Sequence, residues 1–183
     1  MATVIEKNKK YTYEDYVNTS DDRRHELIEG ELLMAPSPVP RHQMICGKLE
    51  FILRKFITEN NLGELLFAPC DVYLDEENVV QPDIMFISKD RLNIIGEKNI
   101  QGAPCITIEI ISENSAYRDM VQKKRLYAKF GVKEYWIVIP EEESIEIYVL
   151  ENNMYQLTKL YRKNDTLESA SLKGLEIELK GIF

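Results

Sequence analysis

The segment that most constrains the fold is 105–140, CITIEIISENSAYRDMVQKKRLYAKFGVKEYWIVIP. An apolar run is followed by a helical pattern that closes at Gly131 and then by a second apolar run, which predicts strand, helix, strand. Strands that are apolar on both faces are typical of the middle of a covered sheet, and a helix that crosses over between them joins parallel neighbours. This segment predicts a mixed α/β protein.

Two charged side chains interrupt this apolar pattern. Glu109 alternates with isoleucines on a strand whose composition indicates burial. In the helix, a period of 3.6 residues places Lys123 within the apolar stripe of Ala116, Met120, Tyr127 and Phe130. The same period points Arg118, Gln122, Arg125 and Lys129 the other way. Because a buried charge is costly unless it is paired, Glu109 and Lys123 are either partners or parts of a chemical site.

The rest of the chain adds a long helix and several strands. A variant capping box starts a short helix over 12–17, and Gly30 divides 23–34 into a tight strand pair. Helical spacing runs from Arg41 to a stop near Gly63. Further strands are predicted at 65–74 and 79–87, joined as a hairpin, and at 145–150, 154–162 and 175–179, added to the sheet edge. We predict a single α/β domain over 1–183, with a mixed central sheet, flanking helices, a C-terminal antiparallel extension and a flexible tail at 1–10.

Composition excludes several other classes of protein. The chain has 183 residues, 44% of them hydrophobic, and its formal net charge of -8 argues against a surface covered with phosphate-binding cations. It has no apolar run of the roughly 20 residues that a membrane span needs and no signal-peptide core, so we predict a cytoplasmic protein without membrane contact. Cys46, Cys70 and Cys105 include no close pair, which disfavours a disulfide framework and a zinc site.

A third charged residue, Asp83, follows Pro82 in the apolar run VVQPDIMFIS. If this strand lies beside that of Glu109, the two carboxylates converge, and with a backbone carbonyl and waters they suit an octahedral Mg²⁺ ion, or Mn²⁺ in its place. Such an ion lowers the pKa of a bound water and neutralises charge on a phosphoryl group. Lys123 beside it can position the attacking water or stabilise the developing charge. These parts suffice for metal-assisted phosphodiester hydrolysis.

Structural interpretations of the same residues stay open at this point. Pro-Asp is a common turn dipeptide. Glu109 and Lys123 are also compatible with a buried ion pair, and Lys123 with a pair to Asp119 one turn back whose ammonium reaches solvent. The order of the three residues along the chain, rather than any one of them, favours the catalytic interpretation.

That order, Pro82-Asp83, Glu109 and a nearby lysine, resembles the PD-(D/E)XK restriction-endonuclease-like superfamily. Nearly the whole chain resembles more closely the bacterial family of Uma-type restriction endonucleases. The matching segments are HELIEGELLMAPSP followed by His42, VVQPDIMFIS, GAPCITIEIIS, DMVQKKRLYAKFGVKEYWIVIP and LKGLEIELKGIF. In the superfamily the lysine usually lies two residues after the glutamate, where this chain has Ile111. The resemblance therefore implies a lysine relocated to the helix, at Lys123.

The resemblance also implies a restriction-endonuclease-like fold, a divalent metal at Asp83 and Glu109, and DNA as substrate. The chain departs from the family at Cys105, where an aspartate is frequent, and at 112–114, where Ser-Pro-Ser is frequent. Both positions flank the expected site and bear on its loop geometry. Two accessory residues are implied as well. His42 could touch a phosphate or a site water, or simply cap the helix. Glu26 could extend the metal shell, although a bond to backbone donors is favoured.

For contact with DNA the chain offers seven scattered cations: Lys48, Arg54, Lys55, Lys89, Arg91, Lys124 and Arg125. Duplex cleavage needs two sites, and an added antiparallel edge invites pairing, so we predict a homodimer. The alternative is a catalytically silent nuclease-like fold that binds nucleic acid or protein. In the catalytic interpretation the Lys123 ammonium lies close to Asp83 and Glu109. Lys123→Met should then leave the fold intact or slightly stabilised, because it removes a charge from an apolar stripe.

Overall fold

The computed structural model describes residues 9–19, 23–35, 37–112 and 115–183. Most of the predicted flexible tail at 1–10, together with Glu113 and Asn114 after the strand of Glu109, lies outside these ranges. The helices are α1 Tyr13–Val17, α2 Pro40–Glu59 and α3 Lys124–Phe130, the last preceded without a break by a π-helical turn, Arg118–Lys123. No helix within the described ranges is long and apolar enough to cross a membrane.

Eleven strands form the two larger sheets. A five-stranded sheet has the order β2-β1-β5-β4-β7, and a six-stranded sheet has the order β11-β10-β9-β8-β6-β3. Their strands are β1 His25–Ile28, β2 Glu31–Met34, β3 Gly63–Phe67, β4 Val72–Asp75, β5 Asn78–Val80, β6 Ile84–Ser88, β7 Ile100–Gln101, β8 Ile106–Ile110, β9 Glu134–Ile139, β10 Ser144–Glu151 and β11 Met154–Arg162. A separate two-stranded sheet pairs β12 Thr166–Glu168 with β13 Glu176–Glu178.

The central strand, helix, strand unit is confirmed. β8 and β9 are parallel neighbours in the middle of the six-stranded sheet, and the connection between them contains the π turn and α3. Gly131 ends α3 in the left-handed conformation, with φ 81°, which glycine adopts without steric cost. The predicted α/β fold with a mixed sheet and an antiparallel extension is therefore correct.

The six-stranded sheet is covered on both faces. α2 packs on one face through Ile45, Leu49, Leu53 and Ile57, together with the apolar residues of the C-terminal segment. The other face packs against α3 and the five-stranded sheet. Because side chains alternate along a strand, Ile106, Ile108 and Ile110 of β8 join the α2 core. Glu109 therefore points to the opposite face, below α3.

The structure differs from the predicted strands at 65–74 and 79–87 and from the predicted pairing of the C-terminal strand at 175–179. The runs 65–74 and 79–87 each divide into two short strands: β4 and β5 form the predicted hairpin, whereas β3 and β6 belong to the six-stranded sheet. The breaks fall at prolines, Pro69 and Pro82, because proline cannot donate to a strand ladder. In the C-terminal part of the chain, β10 and β11 extend the sheet edge as predicted, but the strand near 175–179 pairs with β12 instead.

Candidate active site

Asp83 and Glu109 lie side by side on neighbouring strands. Asp83 immediately precedes β6, Glu109 is the fourth residue of β8, and the two strands are antiparallel with Ile84 opposite Ile108. The break at Pro82 ends pairing in the five-stranded sheet just before β6 starts in the other one. Asp83 therefore stands where the chain passes between the sheets, beside the carboxyl end of β8.

The Asp83 carboxylate is fixed by two hydrogen bonds to one of its oxygens. Its Oδ2 accepts the backbone N–H of Ile110 at 2.8 Å and the Nε2–H of His42 at 2.9 Å. His42 lies in the first turn of α2, its side chain is 11% exposed, and its Nδ1 has no partner among the described residues. The proton on Nε2 follows from the acceptor-only character of an ionised carboxylate. The structure places His42 beside Asp83, and no side chain of the described residues caps the start of α2.

Lys123 lies at the centre of three carboxylates. Its Nζ is 2.7 Å from Glu26 Oε1, 3.0 Å from Glu109 Oε1 and 3.4 Å from Asp119 Oδ1. The residue is 3% exposed, so the ammonium does not reach solvent. Contact with Glu109 agrees with the expected position, but Lys123 forms no direct ion pair with Asp83, and Glu26 takes that place.

Glu26 bonds a backbone donor, as favoured from the sequence, and also pairs with two cations. One carboxylate oxygen accepts the backbone N–H of Gln81 at 2.8 Å, as expected of a structural acid, and the same oxygen contacts Lys123. Its other oxygen pairs with Arg118 at 3.1 Å. Burial raises the pKa of Glu26, but Lys123, the Gln81 N–H and Arg118 outweigh burial and hold this pKa below its usual value. Glu26 is therefore an ionised partner that orients Lys123.

For Glu109 and Asp119, in contrast, burial outweighs the contact with Lys123, so the pKa of each carboxyl is raised. Burial raises the pKa of Glu109 well above its usual value; Lys123 opposes this shift, and the nearby carboxylates add to it. Burial likewise raises the pKa of Asp119. The Tyr127 hydroxyl donates to Glu109 Oε1 at 2.7 Å, which leaves Oε2 as the oxygen of Glu109 without a hydrogen bond to a described residue. The site thus holds carboxylates that its own cations do not fully neutralise.

The helical stripe predicted for 116–130 is wrong at two residues. Met120 is 38% exposed instead of buried, and Arg118 turns inward to Glu26. Asp119, which the stripe did not include, is buried as well. The cause is the π turn, Arg118–Lys123, in which hydrogen bonds run from i to i+5, so that its side chains rotate away from the 3.6-residue period. Sequence reasoning missed Asp119 and Arg118 as site residues for this reason.

These side chains line a cleft of about 110 Å³. Glu26, Asp83, Glu109 and Asp119 face it, while Lys123 and Arg118 are the cations in contact with them. Four carboxylates therefore line the cleft together with the cations Lys123, Arg118 and Arg24. None of the seven cations that the sequence offered for DNA lines this cleft; Arg24 and Arg118 do so instead.

The cleft has the donor chemistry for a hard divalent cation but does not form a closed protein cage. Within the described ranges, no three His, Cys, Asp or Glu side chains converge in a geometry that could hold a metal. Mg²⁺ is usually bound through one or two carboxylates, with waters and substrate phosphates as the remaining ligands. Asp83 and Glu109 match that requirement.

A comparison with solved structures supports the fold described above. The chain is similar to the crystal structure of a putative nuclease belonging to DUF820 from Anabaena variabilis ATCC 29413, with a TM-score of 0.79 and 18% sequence identity. The match covers 94% of this chain and 97% of that one. No curated protein matches the sequence.

The family follows from the sequence profile of Uma2, described as "Putative restriction endonuclease", which matches residues 11–180. The chain therefore belongs to the Uma2 family, as the resemblance implied. Membership of a restriction-endonuclease family supports a nuclease function in general terms.

Lys124, the neighbour of Lys123, provides a matched control for the site. Its Nζ lies 3.4 Å from the centroid of the Tyr148 ring and faces away from the cleft. We expect Lys124→Met to retain nuclease activity and to lower the free energy of unfolding only by the cation–π contribution, about 0.5–2 kcal/mol. Thermal melting and a cleavage assay measured side by side check this; loss of cleavage would mean that the two lysines have been assigned the wrong roles.

Proposed function

We propose that the protein is a Mg²⁺-dependent endonuclease that hydrolyses DNA phosphodiester bonds. The observation that carries the proposal is the cluster of Asp83, Glu109 and Lys123 in one cleft, where a buried lysine meets carboxylates in excess. Asp83 and Glu109 would hold the metal, which supplies Lewis-acid chemistry and an activated water when bound. Mn²⁺ would serve in its place.

The residues of the chain have separate tasks in this mechanism. Lys123, held by Glu26 and Asp119, keeps its positive charge and directs it at the attacking water or the phosphoryl oxygens, where negative charge develops. Its pKa lies well above the usual value, because the contacts with Glu109, Glu26 and Asp119 outweigh burial. Lys123 therefore acts as an electrostatic stabiliser rather than as a proton acceptor.

His42 and the Ile110 N–H orient Asp83 from one side. Both bonds end on Oδ2, so the other oxygen of Asp83 is left to face the cleft. In this proposal His42 is a positioning residue for the metal ligand, and Tyr127 has the same role for Glu109. A preorganised pair of carboxylates needs little rearrangement when the metal enters.

The protein alone should cleave plasmid and short duplex DNA when Mg²⁺ or Mn²⁺ is present, and should not do so in a chelator. The assay compares the wild type with Asp83→Asn under the same metal concentrations, since this substitution removes a charge from the proposed metal site and keeps the side-chain shape. Equal cleavage by both proteins would show that the activity does not arise from this cleft.

The alternative is a catalytically silent nuclease-like fold that binds nucleic acid or protein. The ion pairs of Lys123 with Glu26, Glu109 and Asp119 favour this alternative, because they already pair these three carboxylates with a cation in the absence of a metal. A titration with Mg²⁺ separates the two functions: DNA binding with no metal-dependent stabilisation and no cleavage supports the silent fold.

We also propose that the protein acts as a single-domain homodimer in the cytoplasm. The edge strand β11, nine residues long, offers unpaired backbone groups for a second copy, and duplex cleavage requires two sites. Light scattering of the purified protein measures the assembly state directly.

A further inference from the structure

Arg24 is a cation at the rim of the cleft that forms no ion pair with an acid of the described residues. It lines both the catalytic cleft and a neighbouring open cavity of about 400 Å³. Its Nε donates to Gln81 Oε1 at 2.9 Å, but no carboxylate among the described residues lies within 4.0 Å of its guanidinium. The chain has 31 acidic residues and 23 basic ones. A half-buried arginine with no acidic partner within the described ranges of such an acidic chain points to a different kind of partner.

Gln81 holds this guanidinium in a fixed orientation. Its side-chain Nε2 donates to Asp71 Oδ1 at 2.7 Å and contacts the Tyr16 hydroxyl at 3.3 Å, while its backbone N–H donates to Glu26. These bonds determine which end of the amide faces Arg24, so only Oε1 is presented to it. Because Gln81 precedes Pro82 and Asp83 directly, the segment that places the proposed metal ligand also places Arg24.

We infer that Arg24 binds a DNA phosphate adjacent to the one that is cleaved, at the point where the strand leaves the cleft for the neighbouring cavity. The inference rests on the proposed nuclease function. One edge of the guanidinium is used by Gln81, which leaves its Nη donors for an anion. A planar guanidinium held at one edge binds a phosphate through paired N–H bonds. Pairing with a carboxylate would compete with this role.

The test compares Arg24→Met with Lys180→Met. Methionine keeps an apolar stem at either position and removes the charge. Lys180 is an exposed lysine that follows β13 and lines neither the cleft nor the neighbouring cavity. Both substitutions change the net charge equally, so a difference between them reports the position of the charge. Binding of a labelled short oligonucleotide, single-stranded or duplex, is measured in a chelator over a range of salt concentrations, and kcat/KM is measured with Mg²⁺.

For Arg24→Met we expect the slope of log Kd against log salt concentration to fall by about one, as for the loss of one phosphate contact. Kd should rise about tenfold, the equivalent of one charge-assisted hydrogen-bonding contact, and kcat/KM should fall in proportion. Lys180→Met should keep the wild-type values. Replacing single phosphates by neutral methylphosphonates should reveal one flanking position that weakens binding of the wild type and has no further effect on Arg24→Met.

Each of the other outcomes contradicts the inference about Arg24, the nuclease proposal or both. If the wild type cleaves DNA and Arg24→Met keeps its slope and Kd, the inference fails and the nuclease proposal stands. If the wild type binds DNA without cleaving it and Arg24→Met still lowers the slope, the nuclease proposal fails and Arg24 remains a phosphate contact. If the wild type neither binds nor cleaves, both fail. Should Arg24→Met not fold, Arg24→Lys decides: a higher Kd with an unchanged slope supports the inference, and an unchanged Kd refutes it.

Discussion

Lys123→Met is expected to abolish DNA cleavage and to lower the free energy of unfolding at neutral pH by about 3–5 kcal/mol. Activity should fall because the group that stabilises developing negative charge is gone, which costs about 10²–10³-fold or more in related cases. Stability should fall because Glu26, Glu109 and Asp119 lose their shared cation while they remain buried. This reverses the expectation from sequence alone, in which the substitution removed a costly charge from an apolar stripe and left the fold intact or slightly stabilised.

The loss of stability should depend on pH in a defined direction. Burial raises the pKa of Glu109 and of Asp119 in the folded protein, and removing Lys123 raises both further. A carboxyl with a raised pKa takes up its proton more readily in the folded state, so the folded state gains stability as pH falls through that pKa. The stability difference between wild type and Lys123→Met should therefore shrink on acidification, where the carboxyls become neutral.

Denaturant unfolding at several pH values measures this difference, with Lys124→Met as the control that keeps Lys123 in place. A Lys123→Met protein that cleaves DNA at the wild-type rate would make Lys123 a structural residue. A stability difference that grows at acid pH would contradict the charge balance given for the cluster.

Sequence patterns were sufficient to predict the parts of the fold that depend on local periodicity. Alternation along 106–110 places Glu109 on the face opposite the isoleucines, and the strand, helix, strand order of 105–140 requires parallel neighbours. Both follow from residues close together in the chain. The capping box of Thr12 and the left-handed Gly131 are local in the same sense.

The errors arise where a long-range contact changes a local pattern. The π turn rotates Arg118 and Asp119 inward, and no helical period in the sequence encodes that extra residue. The division of 79–87 between two sheets depends on partners far along the chain, although Pro82 marks the point of the break. The orientation of Arg24 could not be predicted for the same reason, because its guanidinium is held by Gln81, 57 residues away.

Glu109→Gln is expected to abolish cleavage while leaving the metal-free protein as stable as the wild type or more so. Burial and the neighbouring carboxylates disfavour the negative charge of Glu109 and raise its pKa, and this substitution removes that charge. The glutamine Oε1 can still accept from Lys123 and Tyr127, which contact the same oxygen in the wild type. Relief of charge repulsion should therefore offset the weaker bond to Lys123.

The metal response should change in the opposite direction. A ligand at 100 times its Kd adds about 2.7 kcal/mol to the free energy of unfolding, which corresponds to a Tm increase of about 5–11 °C for a chain of this size. We expect Mg²⁺ or Mn²⁺ to raise the Tm of the wild type in this way and to have little effect on Glu109→Gln. Ca²⁺-free buffers with a chelator provide the reference, and Lys124→Met should respond as the wild type does.

This pair of measurements separates a metal-binding acid from a structural one. If Glu109 were only the partner of Lys123 in an ion-pair network, Glu109→Gln would lower the Tm of the metal-free protein, and neither protein would respond to metal. If it is a metal ligand, its buried charge is retained at the expense of stability in the metal-free protein, and that charge is compensated when the ion binds. A metal-free Glu109→Gln protein that melts well below the wild type, with an unchanged metal response, would exclude Glu109 from the metal site.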